Sequence, residues 1–253
     1  MVRVLFARAL HCTHGRDLYE ALSPSIEYAI SKGYNVRIIE GFLCLKKPIE
    51  QAIDEFDPDL FAGVGHGWDF WWTCDLEMPV WWCGIHYCPH PPDKLKGRIV
   101  YLLSCRTAKE LGLMIIRYGA RAFIGYKEDF IYCENVKGYF ESANQILFSL
   151  LDGKSVYESV QDTKEKFNEW INYWKRTGHP QSSEFIKYLI WDRDALTFYG
   201  NPCASIIYCK EKDREQCQAS LCCTWYRNAC HDIPREPYEV IDAKKEFKIS
   251  IRR

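Results

Sequence analysis

No stretch of this chain approaches the roughly 18 consecutive apolar residues that a membrane-spanning helix needs. Charge of one sign is also missing. A formal net charge of −1 over 253 residues gives no electrostatic case for nucleic acid or an anionic membrane as partner. There is no internal repeat, no low-complexity tract and no glycine-rich phosphate loop. "GVGHG" at 63–67 lacks the spacing and the following helix of a dinucleotide fingerprint, so a nucleotide site is not favoured. The opening "MVRVLFARAL" has arginines at 3 and 8 inside a short apolar run, which reads as a strand and not as a signal peptide. These absences together predict a soluble, cytoplasmic protein.

Cysteine, by contrast, is abundant. Thirteen cysteines are an odd number, so at least one thiol is left outside any intramolecular disulfide. An ordinary cytosol would keep most of them reduced, and intracellular proteins of hyperthermophiles are the disulfide-rich exception. An apolar content of 47% with mixed charge marks a globular chain, long enough for one main domain and an appendage.

The first two-thirds alternate strand-like and helix-like segments, the pattern of an α/β protein with a mostly parallel sheet flanked by helices. "RVLFARAL" reads as a buried strand, and "RDLYEALSPSIEYAISKG" as a helix that Pro24 kinks. "YNVRIIEG", "DLFAGVGHG", "RIVYLLSC", "ARAFIGYKE" and "ALTFYGN" are the further strand candidates. Helices are expected at "KPIEQAIDEF", "TAKELGLMIIRYG", 136–152 and 155–176. Residues 68–97 form a long connection, which in a compact domain is usually functional or disordered; its tryptophans argue against disorder. A boundary falls near 208, dividing an α/β domain (1–208) from a Cys-rich C-terminal extension (209–253).

Ligands of open parallel sheets sit outside the carboxyl ends of the strands. Two strands here end on reactive residues: "DLFAGVGHG" delivers His66 between two glycines, and "RIVYLLSC" delivers Cys105. If the strands are neighbours, the two side chains share a rim, one or two spacings of about 5 Å apart. An imidazole there can take the thiol proton and later protonate a leaving group. Gly67, with no side chain, and Cys105 can offer backbone N–H groups as an oxyanion hole. Each residue could equally be structural, since free cysteine behaves as a small buried hydrophobe.

The pair resembles the caspase-like cysteine peptidases (clan CD), in which one apolar strand ends in His-Gly and a following one in Ala-Cys or Ser-Cys. Within that superfamily the chain is most similar to the gingipain branch and its CHAT-domain relatives. "FAGVGHG", "VYLLSC", "LGLMIIRYGARAFIGY" and "LTFYGNP" match in order, over residues 1 to about 208. Departures are the absent Gln-Ala-Cys signature, a His-to-Cys interval shorter than the roughly 50 residues of caspases, and Asn201 in place of the usual acid before Pro202. The resemblance implies a caspase-haemoglobinase fold and a thiol endopeptidase acting through an acyl-enzyme, with a peptide or protein as substrate and no cofactor required.

It further implies that the loop after the first strand, "LHCTHGRDLYE", lines the pocket for the residue preceding the cut. Arg16 would favour an acidic residue there and Asp17 a basic one, unless Asp17 caps the helix and Arg16 is solvated. Trp68 and Ser104, each beside a catalytic candidate, complete the expected substrate-binding set. The loop from Trp68 carries five of the nine tryptophans and could wall a cleft or form a satellite core. Cys83, His86, Cys88 and His90 could hold a structural zinc, or calcium could stabilise loops, although the spacing matches no standard zinc pattern. In the extension, Cys209, Cys217, Cys222, Cys223 and Cys230 could form a second zinc site or, as adjacent cysteines favour, a disulfide knot stapling a small tail. Lys210 to Arg214 is the candidate stretch for autoprocessing. The competing reading is a non-catalytic scaffold that binds a protein partner through the Trp-rich loop and the tail.

Overall fold

The computed structural model describes residues 1–226 and 229–232. The predicted extension beyond residue 232 lies outside the described residues. In chain order the elements are β1 (Arg3–Arg8), α1 (Gly15–Ala21), α2 (Ser23–Ser31), β2 (Asn35–Glu40), α3 (Lys46–Phe56) and β3 (Leu60–Val64). Three short strands follow, β4 (Gly67–Trp68), β5 (Trp71–Thr73) and β6 (Pro79–Trp82). Then come β7 (Ile99–Leu103), α4 (Leu111–Arg117), β8 (Ala122–Tyr126), α5 (Tyr139–Leu151), α6 (Val156–Thr177), α7 (Ser182–Ala195) and β9 (Leu196–Gly200). The Cys-rich segment adds α8 (Arg214–Ala219), β10 (Cys223–Tyr226) and β11 (Ala229–Asp232).

The central sheet runs β2-β1-β3-β7-β8-β9, parallel except for β9, which is antiparallel to β8. Strands buried on both faces need apolar residues at nearly every position, and β1, β3, β7 and β8 supply them. Val4 and Phe6 face one core with Leu22, Ile26 and Leu147; Leu5 and Ala7 face the other with Ile53, Phe61 and Trp72. The mostly parallel α/β architecture expected from the sequence is therefore the one observed, and among the described residues no helix is long and apolar enough to cross a membrane.

Several local expectations change. The helix through Pro24 is two helices, broken at Leu22, because the proline sits in the first turn of α2 where its missing N–H costs nothing. Residues 68–97 are not a bare loop: β4, β5 and β6 pair antiparallel. Trp72 and Trp81 stack with centroids 5.2 Å apart, fully buried against Phe61. This part of the aromatic loop belongs to the main core on that face of the sheet, with Leu5, Phe61 and Leu102. Helix α7 was not expected at all. Its buried face carries Phe185, Leu189 and Ala195 but also Asp192, while Ile190 and Trp191 are exposed, so the apolar stripe is interrupted by one buried carboxyl.

Ten of the thirteen cysteines are paired, as Cys44–Cys74, Cys83–Cys88, Cys203–Cys222, Cys209–Cys223 and Cys217–Cys230; Cys12, Cys105 and Cys133 are free. The expected metal set is thereby revised. Cys83 and Cys88 spend their sulfurs on each other and offer no thiolate, His86 is exposed, and the His90 backbone is bridged to Trp82. The tail is a disulfide knot, and Cys203–Cys222 fastens it to the segment following β9.

Candidate active site

Strands β3 and β7 are hydrogen-bonded neighbours, with Val64 opposite Leu103. Two residues beyond that pair the chains reach His66 and Cys105, so the parallel register brings both to the same edge of the sheet. They line one cavity of about 280 Å³ together with His14, Ser104, Phe130 and Tyr132. Both side chains are half-buried.

No hydrogen bond joins imidazole to thiol in this structure. His66 Nε2 lies 2.9 Å from the carbonyl oxygen of Thr13. A carbonyl can only accept, so Nε2 carries the proton and Nδ1 is left as the basic nitrogen. The Cys105 thiol points to the Phe130 carbonyl at 3.9 Å. Burial, reinforced by the charges of Asp129 and Asp192, holds this thiol above its ordinary range despite the bond to Phe130. At neutral pH it is therefore a thiol and not a thiolate.

The loop that presents Thr13 is itself anchored. Buried Asp75 accepts the N–H of Leu10 at 3.0 Å and of His11 at 2.5 Å, and pairs with His11 Nδ1 at 2.9 Å. Burial pushes the Asp75 carboxyl up, but these bonds outweigh it and hold the group below its usual value. The neighbouring Cys74 is tied to Cys44.

Gly67 has no room for a side chain. A Cβ there would lie 2.4 Å from the Cys105 carbonyl oxygen and 2.9 Å from Ser104 Oγ. Thr73 N–H donates to the His66 carbonyl, which makes Gly67 and Trp72 the next, non-hydrogen-bonded pair and turns the Gly67 N–H away from β5. Ser104 is buried in the cavity wall, and its hydroxyl has no hydrogen-bond partner.

Beyond each strand end the turns are strapped together. Arg106, at a positive φ of 58°, donates to both Asp69 oxygens at 2.7 and 3.0 Å and lies 4.1 Å above the Trp68 ring. Trp68 thus supports this strap on an exposed face and does not line the cavity. Arg16 also lies elsewhere: it is exposed and pairs with Glu20. Asp17 accepts the Tyr132 hydroxyl at 3.1 Å, on the wall between the cavity and a neighbouring groove of about 690 Å³. His14, Asp17 and Glu134 converge there, with ligand-type atoms within 4.8 Å of one another. Thr13, Asp69, Asp75, Arg106 and Glu134 were not singled out by the sequence.

Neither a family model nor a curated protein matches this chain. Solved structures do. The Arg-specific cysteine proteinase gingipain R (RgpB) superposes with a TM-score of 0.58 at 12% identity, over 80% of this chain and 47% of its own. The complex of Porphyromonas gingivalis RgpB pro- and mature domains gives 0.55 at 12% identity over the same shares. Saccharomyces cerevisiae separase, in complex with securin, aligns with a TM-score of 0.44 at 14% identity over 79% of this chain and 12% of its own. The fold of this chain is therefore that of the caspase-like cysteine peptidases. It spans about half the length of the gingipain structures.

Proposed function

We propose that this protein is a cysteine endopeptidase in which Cys105 is the nucleophile and His66 the general base and acid. The observation that carries the reading is the β3–β7 register, which delivers His66 and Cys105 to one cavity. Nδ1 of His66 takes the thiol proton and the Cys105 sulfur attacks the scissile carbonyl carbon. The oxygen that becomes anionic faces the N–H groups of Gly67 and Cys105. The imidazolium then protonates the leaving amine as the C–N bond breaks, leaving a thioester. Water, deprotonated by His66, attacks that thioester, and the sulfur leaves and regains a proton as the acid is released. Every step is served by groups of this chain.

The residue preceding the cut is basic in this reading. Glu134 lines the cavity, and Asp17 stands beside it in the adjoining groove, whereas Arg16 is occupied by Glu20. Gingipain R is itself Arg-specific by name. A mixed peptide library, digested under mild reduction by the protein and by its Cys105→Ala variant, tests the proposal by mass spectrometry. Cuts after Arg or Lys that vanish in the variant are expected. Identical, uncut libraries would sink it and favour a protein-binding module, whose surface would be the exposed Met78, Trp82, Ile85 and Tyr87 of the aromatic loop.

A further inference from the structure

Asp192 is fully buried near the C-terminal end of α7, with no cation paired to it among the described contacts. One carboxylate oxygen accepts the Ile131 N–H at 2.9 Å; the other is buried without a hydrogen-bond partner. A buried carboxyl that accepts only one N–H leaves its other oxygen unpartnered, a cost that burial of the neutral acid lessens but does not remove. Its position suggests what it holds. The same end of α7 grips the segment after β8 at two further points: Trp191 Nε1 donates to the Asp129 carbonyl at 2.8 Å, and Lys127 N–H donates to the Ala195 carbonyl at 2.9 Å. Residues 129 and 131 are thus both pinned, and between them lies Phe130, whose carbonyl accepts the Cys105 thiol. Phe130, Ile131 and Tyr132 also form one wall of the cavity.

We propose that Asp192 is a positioning residue for Cys105: through Ile131 it fixes the Phe130 carbonyl that orients the thiol, and through its charge state it sets how readily that thiol ionises. The proposal rests on the reading of Cys105 as the nucleophile but concerns the thiol, not the peptide.

The electrostatics agree with the geometry. Burial, only partly opposed by the Ile131 N–H, raises the Asp192 carboxyl to about 8. The titratable groups whose ionisation its charge perturbs are Tyr101 on β7, Tyr126 on β8, Tyr139 on α5 and Cys105, and none is a cation. Asp192 therefore stays neutral through the neutral range and becomes an anion only above it, where its charge opposes formation of the thiolate.

The test is the rate of Cys105 alkylation by iodoacetamide as a function of pH, read by peptide mapping, with Cys12 in the same sample as internal reference. Asp192→Asn keeps an acceptor for Ile131 and removes the charge. Its Cys105 should react as in the parent at pH 7, and its titration should move to lower pH by a few tenths of a unit or more. Asp192→Ala frees the Ile131 N–H, and Cys105 should then be alkylated severalfold faster at pH 7 as the Phe130 wall loosens. Superimposable Cys105 profiles in parent and Asn variant would overturn the charge coupling, and an unchanged rate in a folded Ala variant would overturn the positioning. Should the Ala variant fail to fold, a Trp191→Phe variant tests the second tie by the same readout, with faster alkylation expected and an unchanged rate counting against it. Alkylation proceeds whether or not peptides are cut, so failure of the peptidase reading leaves this outcome legible.

Discussion

The carbonyl oxygen of Thr13 accepts the Nε2–H of His66 at 2.9 Å, and in doing so decides which ring nitrogen is left unprotonated. No side chain supplies this contact, so the position of the 10–13 loop is what has to be protected. Asp75 protects it. Replacing Asp75 with Ala orphans the Leu10 and His11 N–H groups and should cost about 1–3 kcal/mol of stability, read from urea unfolding midpoints. The pH dependence has a definite sign. The folded-state carboxyl is held below its usual value, so its contribution is present above about pH 4 and is lost as pH falls through the lowered folded value. Asp75→Asn should flatten the acid limb of the stability curve relative to the parent.

Gly67 offers the sharpest steric prediction. A methyl group would sit 2.4 Å from a backbone oxygen, an approach that backbone cannot relieve by rotating a side chain. Gly67→Ala must displace either the Gly67 N–H or the Cys105 turn, so kcat should drop by on the order of 10²-fold or more. Parallel thermal melts would separate this from unfolding: a loss of activity matched by an equal loss of folded protein would argue against the oxyanion role.

How far the sequence could be read depends on what carried each feature. His66 and Cys105 were legible because apolar strands ending in reactive residues leave a pattern, and parallel pairing converts that pattern into a shared edge. Thr13 was invisible because its contribution is a backbone carbonyl, which every residue possesses. Helix α7 was hard to see because a polar residue, Asp192, takes one of the buried positions spaced from Phe185 and Leu189, while the apolar Ile190 and Trp191 fall on the exposed face and blur the periodicity. Cys83, His86, Cys88 and His90 read as a zinc set because closely spaced Cys and His serve a metal, yet the same close spacing of Cys83 and Cys88 lets the two sulfurs bond to each other instead.

Five disulfides are what an oxidising compartment, or the cytosol of a hyperthermophile, maintains. Intact mass before and after alkylation under non-reducing conditions should count three reactive thiols, Cys12, Cys105 and Cys133. The Cys44–Cys74 link, which closes a separation of 30 residues next to Asp75, should matter most to the site. Changing both cysteines to Ser is expected to cost about 2–4 kcal/mol. A double variant as stable as the parent would show that the hydrogen bonds of Asp75 suffice to hold the 10–13 loop.

Specificity separates the two candidates that the sequence left opposed. Arg16 is exposed and paired with Glu20, and an exposed pair of this kind contributes little to anything. Arg16→Ala should therefore leave the preferred residue unchanged. Asp17 is half-buried and oriented by the Tyr132 hydroxyl, and Glu134, which lines both the cavity and the neighbouring groove, has its carboxylate within 4.8 Å of it. A guanidinium or ammonium entering between them gains two partly exposed charge contacts. Removing either charge, by Asp17→Asn or Glu134→Gln, should lower kcat/KM for Arg and Lys substrates by about tenfold while sparing uncharged ones. Tyr132→Phe keeps both charges but frees Asp17 to rotate, so it should weaken discrimination between Arg and Lys without abolishing the preference for a cation. Unchanged Arg and Lys cleavage in the Asp17→Asn, Glu134→Gln double variant would move the specificity pocket away from this wall. Of the two further acids of the neighbouring groove, Glu20 and Glu141, Glu20, freed of Arg16 in the Arg16→Ala protein, would then be the next position to test.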